Sequence, residues 1–221
     1  MKILFVTDAW LPQTNGVVTT LCNLITELKT LGHETAVFSS QDCTRTLTIP
    51  TYKEIQIGFP KECELEPFFN WADHIHIVTL ESPLGAFAAK YCKERNKTYT
   101  ASYHTNFSQY VKKMFSIPEK ITNFFIRRLY RDATVVMAPS HSTTVRLRGE
   151  GYGNVVPWTR GVDRNIFNPG NGEDNRPKDR YRIICVSRIS KEKNLEDFFE
   201  IARTETAHDS KPIEYIMVGD G

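Results

Sequence analysis

The fold is decided in the first forty residues: Ile3-Leu-Phe-Val6, then the loop Asp8-Ala-Trp-Leu-Pro-Gln-Thr-Asn15-Gly16-Val17, then residues 19–31, Gly32, and Glu34–Ser39. Four successive apolar residues with no polar alternation read as a strand buried on both faces. Leu21, Leu24, Ile25, Leu28 and Leu31 recur at helical spacing and form one stripe. Gly32 stops that helix, and 34–39 returns as a strand. Outward from this unit, strands are predicted at 55–57, 75–78, 98–102, 134–137, 154–157, 183–187 and 213–218. Helices are predicted at 83–94, 118–130, 142–148 and 195–204. Repeated β-α-β order with uninterrupted apolar strands argues an α/β fold, a parallel sheet with helices on both faces.

Composition narrows the function classes. The 221 residues are 40% hydrophobic, 11% aromatic and 24% charged, enough for a real core, which excludes disorder over most of the chain. Lys and Arg number 28 against 26 Asp and Glu, a net +2, so no global field recruits nucleic acid or a membrane. No apolar run approaches the roughly 18 residues of a bilayer crossing. The apolar run before Asp8 is too short for a signal-peptide core, and a cytoplasmic location is expected. The odd, scattered cysteines (Cys22, Cys43, Cys63, Cys92, Cys185) contain no Cys-x-x-Cys pair, which argues against a disulfide framework or thiolate zinc site.

Residues 168–179, Asn168-Pro-Gly-Asn-Gly-Glu-Asp-Asn-Arg-Pro-Lys-Asp179, carry no apolar side chain and read as a linker. This divides the chain into a domain at 1–167 and a second at 180–221. The second offers only strand, helix and strand, so it is expected to be the beginning of a larger domain.

In α/β sheets ligands sit beyond the carboxyl ends of strands, and four such ends carry unusual residues. At the first, Asn15 and Gly16 precede the long helix, where backbone N–H groups can meet a phosphate or sugar; an ordinary Asn-Gly turn is the alternative. At the second, Tyr103-His104-Thr-Asn-Phe107 places a histidine that can donate to a hydroxyl or stabilise charge, or merely be hydrogen-bonded structure. The third runs from His74-Ile-His76 to Thr79-Leu-Glu-Ser-Pro83. Its two histidines share a face, but a third metal ligand at matching spacing is missing. Ser82 before Pro83 is a helix N-cap. At the fourth, Val186-Ser-Arg188 leads to Lys193; the guanidinium fork and the ammonium suit a diphosphate leaving group, against the plainer reading of a solvated basic turn.

In this order the four ends resemble retaining glycosyltransferase family 4, of two-domain GT-B architecture. The stretches that carry the resemblance are Pro12-Gln-Thr-Asn-Gly-Val-Val18, Gly32-His-Glu34, His76-Ile-Val-Thr-Leu-Glu-Ser-Pro-Leu-Gly85 and Tyr103-His-Thr-Asn-Phe107. Ala138-Pro-Ser140, Arg160-Gly-Val-Asp163, Phe167-Asn-Pro169, Val186-Ser-Arg188, Glu192-Lys-Asn-Leu195 and Met217-Val-Gly-Asp-Gly221 complete it. The nearest flavour is mannosyltransferases with lipid acceptors, such as phosphatidylinositol mannosyltransferases. The resemblance implies that Arg188 and Lys193 grip the donor diphosphate and that Asn15 and Gly16 line the cleft beside it. By the same likeness His104 contacts the transferred sugar, while His76 and Asp163 lie on the acceptor or cleft side. It also implies a nucleotide-sugar donor (GDP-mannose or a UDP-sugar), a lipid or glycan acceptor, and no metal cofactor; no Asp-x-Asp is present. The family's Glu-x7-Glu motif has no counterpart within these residues.

From 112 to 131 the sequence interleaves Lys112, Lys113, Lys120, Arg127, Arg128 and Arg131 with Phe115, Phe124, Phe125 and Tyr130. Ile121, Phe124, Phe125 and Leu129 form a helical stripe that either meets an anionic membrane at its inner face or packs on the sheet. Nucleic acid is not expected as a partner. Two other readings compete: a non-catalytic module binding a sugar nucleotide or anion, and a nicotinamide-dependent oxidoreductase. The latter requires a dinucleotide fingerprint at the first β-α turn, which residues 12–16 lack.

Overall fold

A computed structural model describes residues 1–49, 52–104, 107, 112, 118–168, 170, 177–190 and 193–219; of residues 49 and 52–55 it describes the backbone. They group into two units, Met1–Val162 and Asp163–Gly221. The first runs β1 (Lys2–Thr7), α1 (Gly16–Thr30), β2 (Glu34–Ser39), β3 (Thr46–Ile49), β4 (Tyr52–Gly58), α2 (Glu62–Trp71) and β5 (His74–Ile77). It continues with α3 (Pro83–Glu94), β6 (Thr100–Ser102), α4 (Glu119–Arg131), β7 (Val135–Ala138), α5 (His141–Gly149) and β8 (Val155–Pro157). Six strands form one parallel sheet in the order β2-β1-β5-β6-β7-β8.

Burial on both faces explains why β1 shows no polar alternation. Ile3 and Phe5 pack with Leu21 and Ile25 of α1 and with Val78. Leu4 and Val6 point the other way, into a larger core that takes Leu65 and Phe69 from α2 and Leu84 and Ala88 from α3. Ile126 and Tyr130 of α4 and Leu147 of α5 complete that layer. Each fully buried side chain of this size contributes about 1.5–3 kcal/mol relative to exposure. The α1 stripe holds except at its end: the helix stops at Thr30, Leu31 is the C-cap, and its side chain is 72% exposed. Gly32 follows at φ +81°, a conformation that glycine adopts without steric cost.

Ser82 caps α3 by accepting from the Gly85 N–H at 3.0 Å, and Pro83 takes the first helical position. Gly85 is required here by proximity: a Cβ would stand 2.1 Å from the Thr79 carbonyl oxygen and 2.7 Å from Leu80 Cα.

One sequence expectation is corrected in this unit, one helix is added to the predicted set, and one open alternative is decided. The strand at 55–57 lies within β4, which pairs antiparallel with β3 in a separate two-stranded sheet rather than joining the parallel one. Helix α2, which carries Pro67 in its interior, lies outside the predicted elements. Of the two alternatives for the α4 stripe, the structure favours an outward face: Ile121, Phe124 and Phe125 are 52%, 54% and 62% exposed, while Leu129 packs partly buried against the core. The helix buries Ile126 and Tyr130 instead. Tyr130 is drawn inward because its hydroxyl donates to Glu81 Oε1 at 2.6 Å, with the Ser102 carbonyl also in reach at 3.2 Å.

The second unit contains β9 (Tyr181–Val186), α6 (Leu195–Thr204), β10 (Ala207–His208) and β11 (Lys211–Val218). β11 pairs parallel with β9 and antiparallel with the short β10. Ile183, Ile184 and Val186 of β9 remain exposed. Most of the expected linker, 169 and 171–176, lies outside the described residues.

Candidate functional site

The described site residues of the first unit gather at the carboxyl ends of β1, β5 and β6. At the head of α1, Asn15 is the N-cap: its Oδ1 accepts from Val17 N at 3.0 Å and Val18 N at 3.1 Å, while its Nδ2 donates to Gln13 Oε1 at 3.3 Å. The side chain thereby fills two of the N–H groups that the sequence reading offered to an anion. Gly16 is exposed, and a Cβ there would meet nothing within 4 Å, so an incoming group can approach its backbone.

His76 and His104 are brought together by hydroxyls. The parallel register sets His76 beside Thr100, and Thr100, Ser102 and His104 follow one another on the same face at period two. His76 Nε2 lies 3.1 Å from Ser102 Oγ, and His104 Nε2 lies 2.7 Å from the same oxygen. His76 Nδ1 lies 2.8 Å from Thr100 Oγ1, and His74 Nε2 approaches that oxygen at 2.9 Å. The pair at His74 and His76 therefore converges on a threonine hydroxyl. Among the described residues no group of three His, Cys, Asp or Glu could hold a metal. On its far side His104 Nδ1 accepts from Arg160 Nη2 at 2.7 Å, and its ring meets Trp158 edge-on with centroids 6.2 Å apart.

A pocket opens over this row, lined by Val17, Thr20 and Leu24 of α1 together with His76, His104 and Trp158. Its electrostatics follow from burial. Desolvation, reinforced by His104 and His74, holds His76 down to about 3. Desolvation and the neighbouring Arg160 hold His104 down to about 4. Both rings are neutral at pH 7, so the positive charge at this spot belongs to the Arg160 guanidinium. His104 as a cation is thus unavailable near neutrality; as a neutral group it can still position or accept.

Two carboxyls lie in the same unit, Asp8 buried and Glu81 half-buried. Asp8 Oδ1 accepts from Gly58 N at 2.7 Å, and its Oδ2 is buried with no hydrogen-bond partner. Desolvation raises Asp8 to about 6 and Glu81 to about 7. Sequence alone assigns no role to Asp8, Thr100, Ser102 or Trp158, and Arg160 stands there only as part of a stretch that carries the resemblance. The available signal was polar residues at period two in otherwise apolar strands. Pairing between β5 and β6, which makes that signal meaningful, comes from tertiary structure.

In the second unit Arg188 and Lys193 occupy one loop beyond β9, both exposed, with Lys193 N donating to Ser190 O at 3.0 Å. Gly219 at the end of β11 packs against this loop, with its Cβ direction 1.8 Å from the Ser187 carbonyl oxygen. Asp163 lies in this unit as well; its Oδ1 accepts from Asn165 N at 2.8 Å in a local turn. Of the surface candidates on and before α4, Lys112 pairs with Glu119 at 3.0 Å and Arg127 donates to the Glu150 carbonyl at 3.1 Å. Arg128 is exposed, and Lys113 lies outside the described residues.

The GDP-mannose-dependent alpha-mannosyltransferase of Corynebacterium glutamicum is 23% identical over 246 residues, covering 100% of this chain and 58% of that protein. The alpha-monoglucosyldiacylglycerol synthase of Streptococcus pneumoniae is 25% identical over 252 residues, covering 100% of this chain and 56% of that one. The chain thus spans less than two thirds of the length of these curated relatives. The fold matches sucrose-phosphate synthase from Thermosynechococcus elongatus with TM-score 0.65 at 15% identity, covering 99% of this chain and 62% of that one. An alpha-glucosyltransferase in complex with UDP-glucose and DNA matches at TM-score 0.53 and 14% identity, covering 100% and 57%. These likenesses give the α/β fold its type, GT-B. The model for Glycosyltransferase Family 4 matches residues 14–165, from the cap of α1 past the His104 row and Arg160, and the chain belongs to that family.

Proposed function

We propose that these residues belong to a retaining glycosyltransferase that moves a hexose, mannose in the leading reading, from a nucleoside-diphosphate sugar to a lipid or glycan hydroxyl. The observation that carries the reading is the family match over 14–165, which contains both the Asn15–Gly16 head of α1 and the whole polar row at His104. Relatives named for GDP-mannose and for a glucosyl lipid support the donor and acceptor classes. In this reading the bond from the sugar's anomeric carbon to the diphosphate breaks as the acceptor oxygen bonds to the same face. The acceptor's proton passes to a departing phosphate oxygen. Charge grows on the diphosphate, where the Arg188 fork and Lys193 meet it without a metal cofactor. Neutral His104, steadied by Ser102 and Arg160, faces the transferred sugar. The exposed Ile121, Phe124 and Phe125 beside Arg128 bring the acceptor side to an anionic membrane surface. Among the described residues no helix is long and apolar enough to cross a membrane.

Calorimetric titration of GDP, UDP, GDP-mannose and UDP-glucose, with Arg188→Ala as control, tests the donor site. The expected result is binding that prefers one base and weakens by about tenfold or more in the variant, the loss of a charge-assisted contact. A folded chain that binds none of the four would overturn the donor assignment. Binding with no sugar transfer to any lipid or glycan hydroxyl would leave a sugar-nucleotide binding module.

A further inference from the structure

The hydrogen bonds around His104 form one continuous line across two strands: Arg160, His104, Ser102, His76, Thr100 and His74. A guanidinium can only donate. His104 Nδ1 must therefore be an acceptor, and in the neutral ring the proton sits on Nε2 and is given to Ser102 Oγ. Ser102 and Thr100 each have one hydroxyl proton to pass on. The order that uses every donor continues from Ser102 to His76 Nε2, from His76 Nδ1–H to Thr100, and from Thr100 to His74 Nε2. In the opposite order His76 would also donate to Ser102. Ser102, 1% exposed, would then accept twice and hold a buried hydroxyl proton with nowhere to go among these contacts. Without a pure donor at one end, the two orders differ only by one proton shifted at each link.

We propose that Arg160 is a positioning residue whose guanidinium sets the direction of this chain, locking His104 as the Nε2–H tautomer and, through Ser102, locking His76 as Nδ1–H. The consequence for catalysis rests on the glycosyl-transfer reading. A sugar hydroxyl arriving beside His104 meets one fixed pattern of donors and acceptors instead of two interconverting ones. The proton order itself is independent of that reading and can be measured without donor, acceptor or turnover.

Long-range proton–nitrogen correlation spectra of the chain labelled with ¹⁵N-histidine distinguish Nδ1–H, Nε2–H and doubly protonated rings. Combined substitution of His33, His141 and His208 by Gln leaves only the three rings of the row. At pH 7 the expected pattern is Nε2–H at His104 and Nδ1–H at His76 and His74. His104 as Nδ1–H, or His76 as Nε2–H, sinks the proposal in the unaltered row alone. Arg160→Met is expected to turn both His104 and His76 into tautomer mixtures, whereas Arg160→Lys, which keeps a donor, preserves the pattern. In a Ser102→Ala background the same Arg160→Met change is expected to reach His104 but no longer His76. An unchanged His76 in Arg160→Met with Ser102 intact would show that Arg160 does not direct the chain. If Arg160→Met does not fold, the unaltered row and the lysine variant still decide. Nucleotide binding measured separately by calorimetry tells a failed donor site from a failed proton order.

Discussion

Gly85 shows how much a single residue can constrain. Its backbone lies so close to Thr79 and Leu80 that any Cβ collides with main-chain atoms rather than with a side chain able to swing away. Gly85→Ala must push α3 away from the Thr79–Leu80 backbone, with an expected cost on the order of 3 kcal/mol or more in urea unfolding. Gly16→Ala, where a Cβ meets open space, is expected to change stability by less than about 1 kcal/mol. Equal losses in the two variants would refute the steric argument. The sequence showed Gly85 only as the last letter of a matching stretch, because nothing local reveals that a neighbouring turn passes 2.1 Å away. Arg160 was illegible for a related reason: 56 residues separate it from His104, and only the folded sheet brings their side chains to hydrogen-bonding distance.

Among the elements, α4 was read with the right boundaries to within a residue, while its apolar stripe was left open between a membrane surface and the sheet. Helical periodicity finds a stripe, but two stripes compete here, and the hydroxyl of Tyr130 decides between them by reaching Glu81 and the Ser102 carbonyl. Ile126→Ala is accordingly expected to lower stability by about 2–4 kcal/mol. The double change Phe124→Ser and Phe125→Ser is expected to leave it within about 1 kcal/mol while reducing sedimentation with anionic phosphatidylglycerol vesicles. Unaltered sedimentation would remove the membrane role from this helix. The β3–β4 pair was missed differently. A strand after β2 is expected to extend the sheet, and whether it turns back on itself depends on antiparallel pairing that alternation at 55–57 does not encode. Helix α2 was hidden by Pro67, which propensity alone forbids at that position and which the packing of Leu65 and Phe69 overrides.

For the molecule as a whole, acidity acts on two opposed sets of groups in the first unit. His76 and His104 titrate lower when folded, to about 3 and about 4. The unfolded chain binds their protons first, so their share of stability is complete above the unfolded value of 6.5 and is lost as pH falls toward those folded values. Asp8 and Glu81 titrate higher when folded, at about 6 and about 7, so their share is complete below the unfolded values of 3.8 and 4.5 and declines as pH rises toward the folded ones. Between roughly pH 4.5 and 6 the two effects oppose one another, and a flat profile is expected. Glu81→Gln unbalances them. The variant should gain stability relative to the unaltered chain as pH rises from 5 to 6, by about 1 kcal/mol in denaturant titrations. Parallel profiles would mean that Glu81 is ionised throughout. The α/β class and the order of the parallel strands in the chain were legible from β1 outward, since burial on both faces removes polar residues from a strand. The opposed titrating groups were not, since burial is a property of the finished layers.

The strand order also carries a history. Once β1, α1 and β2 have paired, β5 adds on the free side of β1, and β6, β7 and β8 then join one after another at the same growing margin. No later strand has to be threaded between two earlier ones. Each segment leaving a ribosome therefore finds its neighbour already in place, and the distance searched at each step is one crossover rather than the whole unit. The last arrival, β8, is three residues long and ends in Pro157, which offers no N–H to a further strand. Assembly that proceeds in the order of synthesis thus ends on a margin poorly suited to recruiting a stranger.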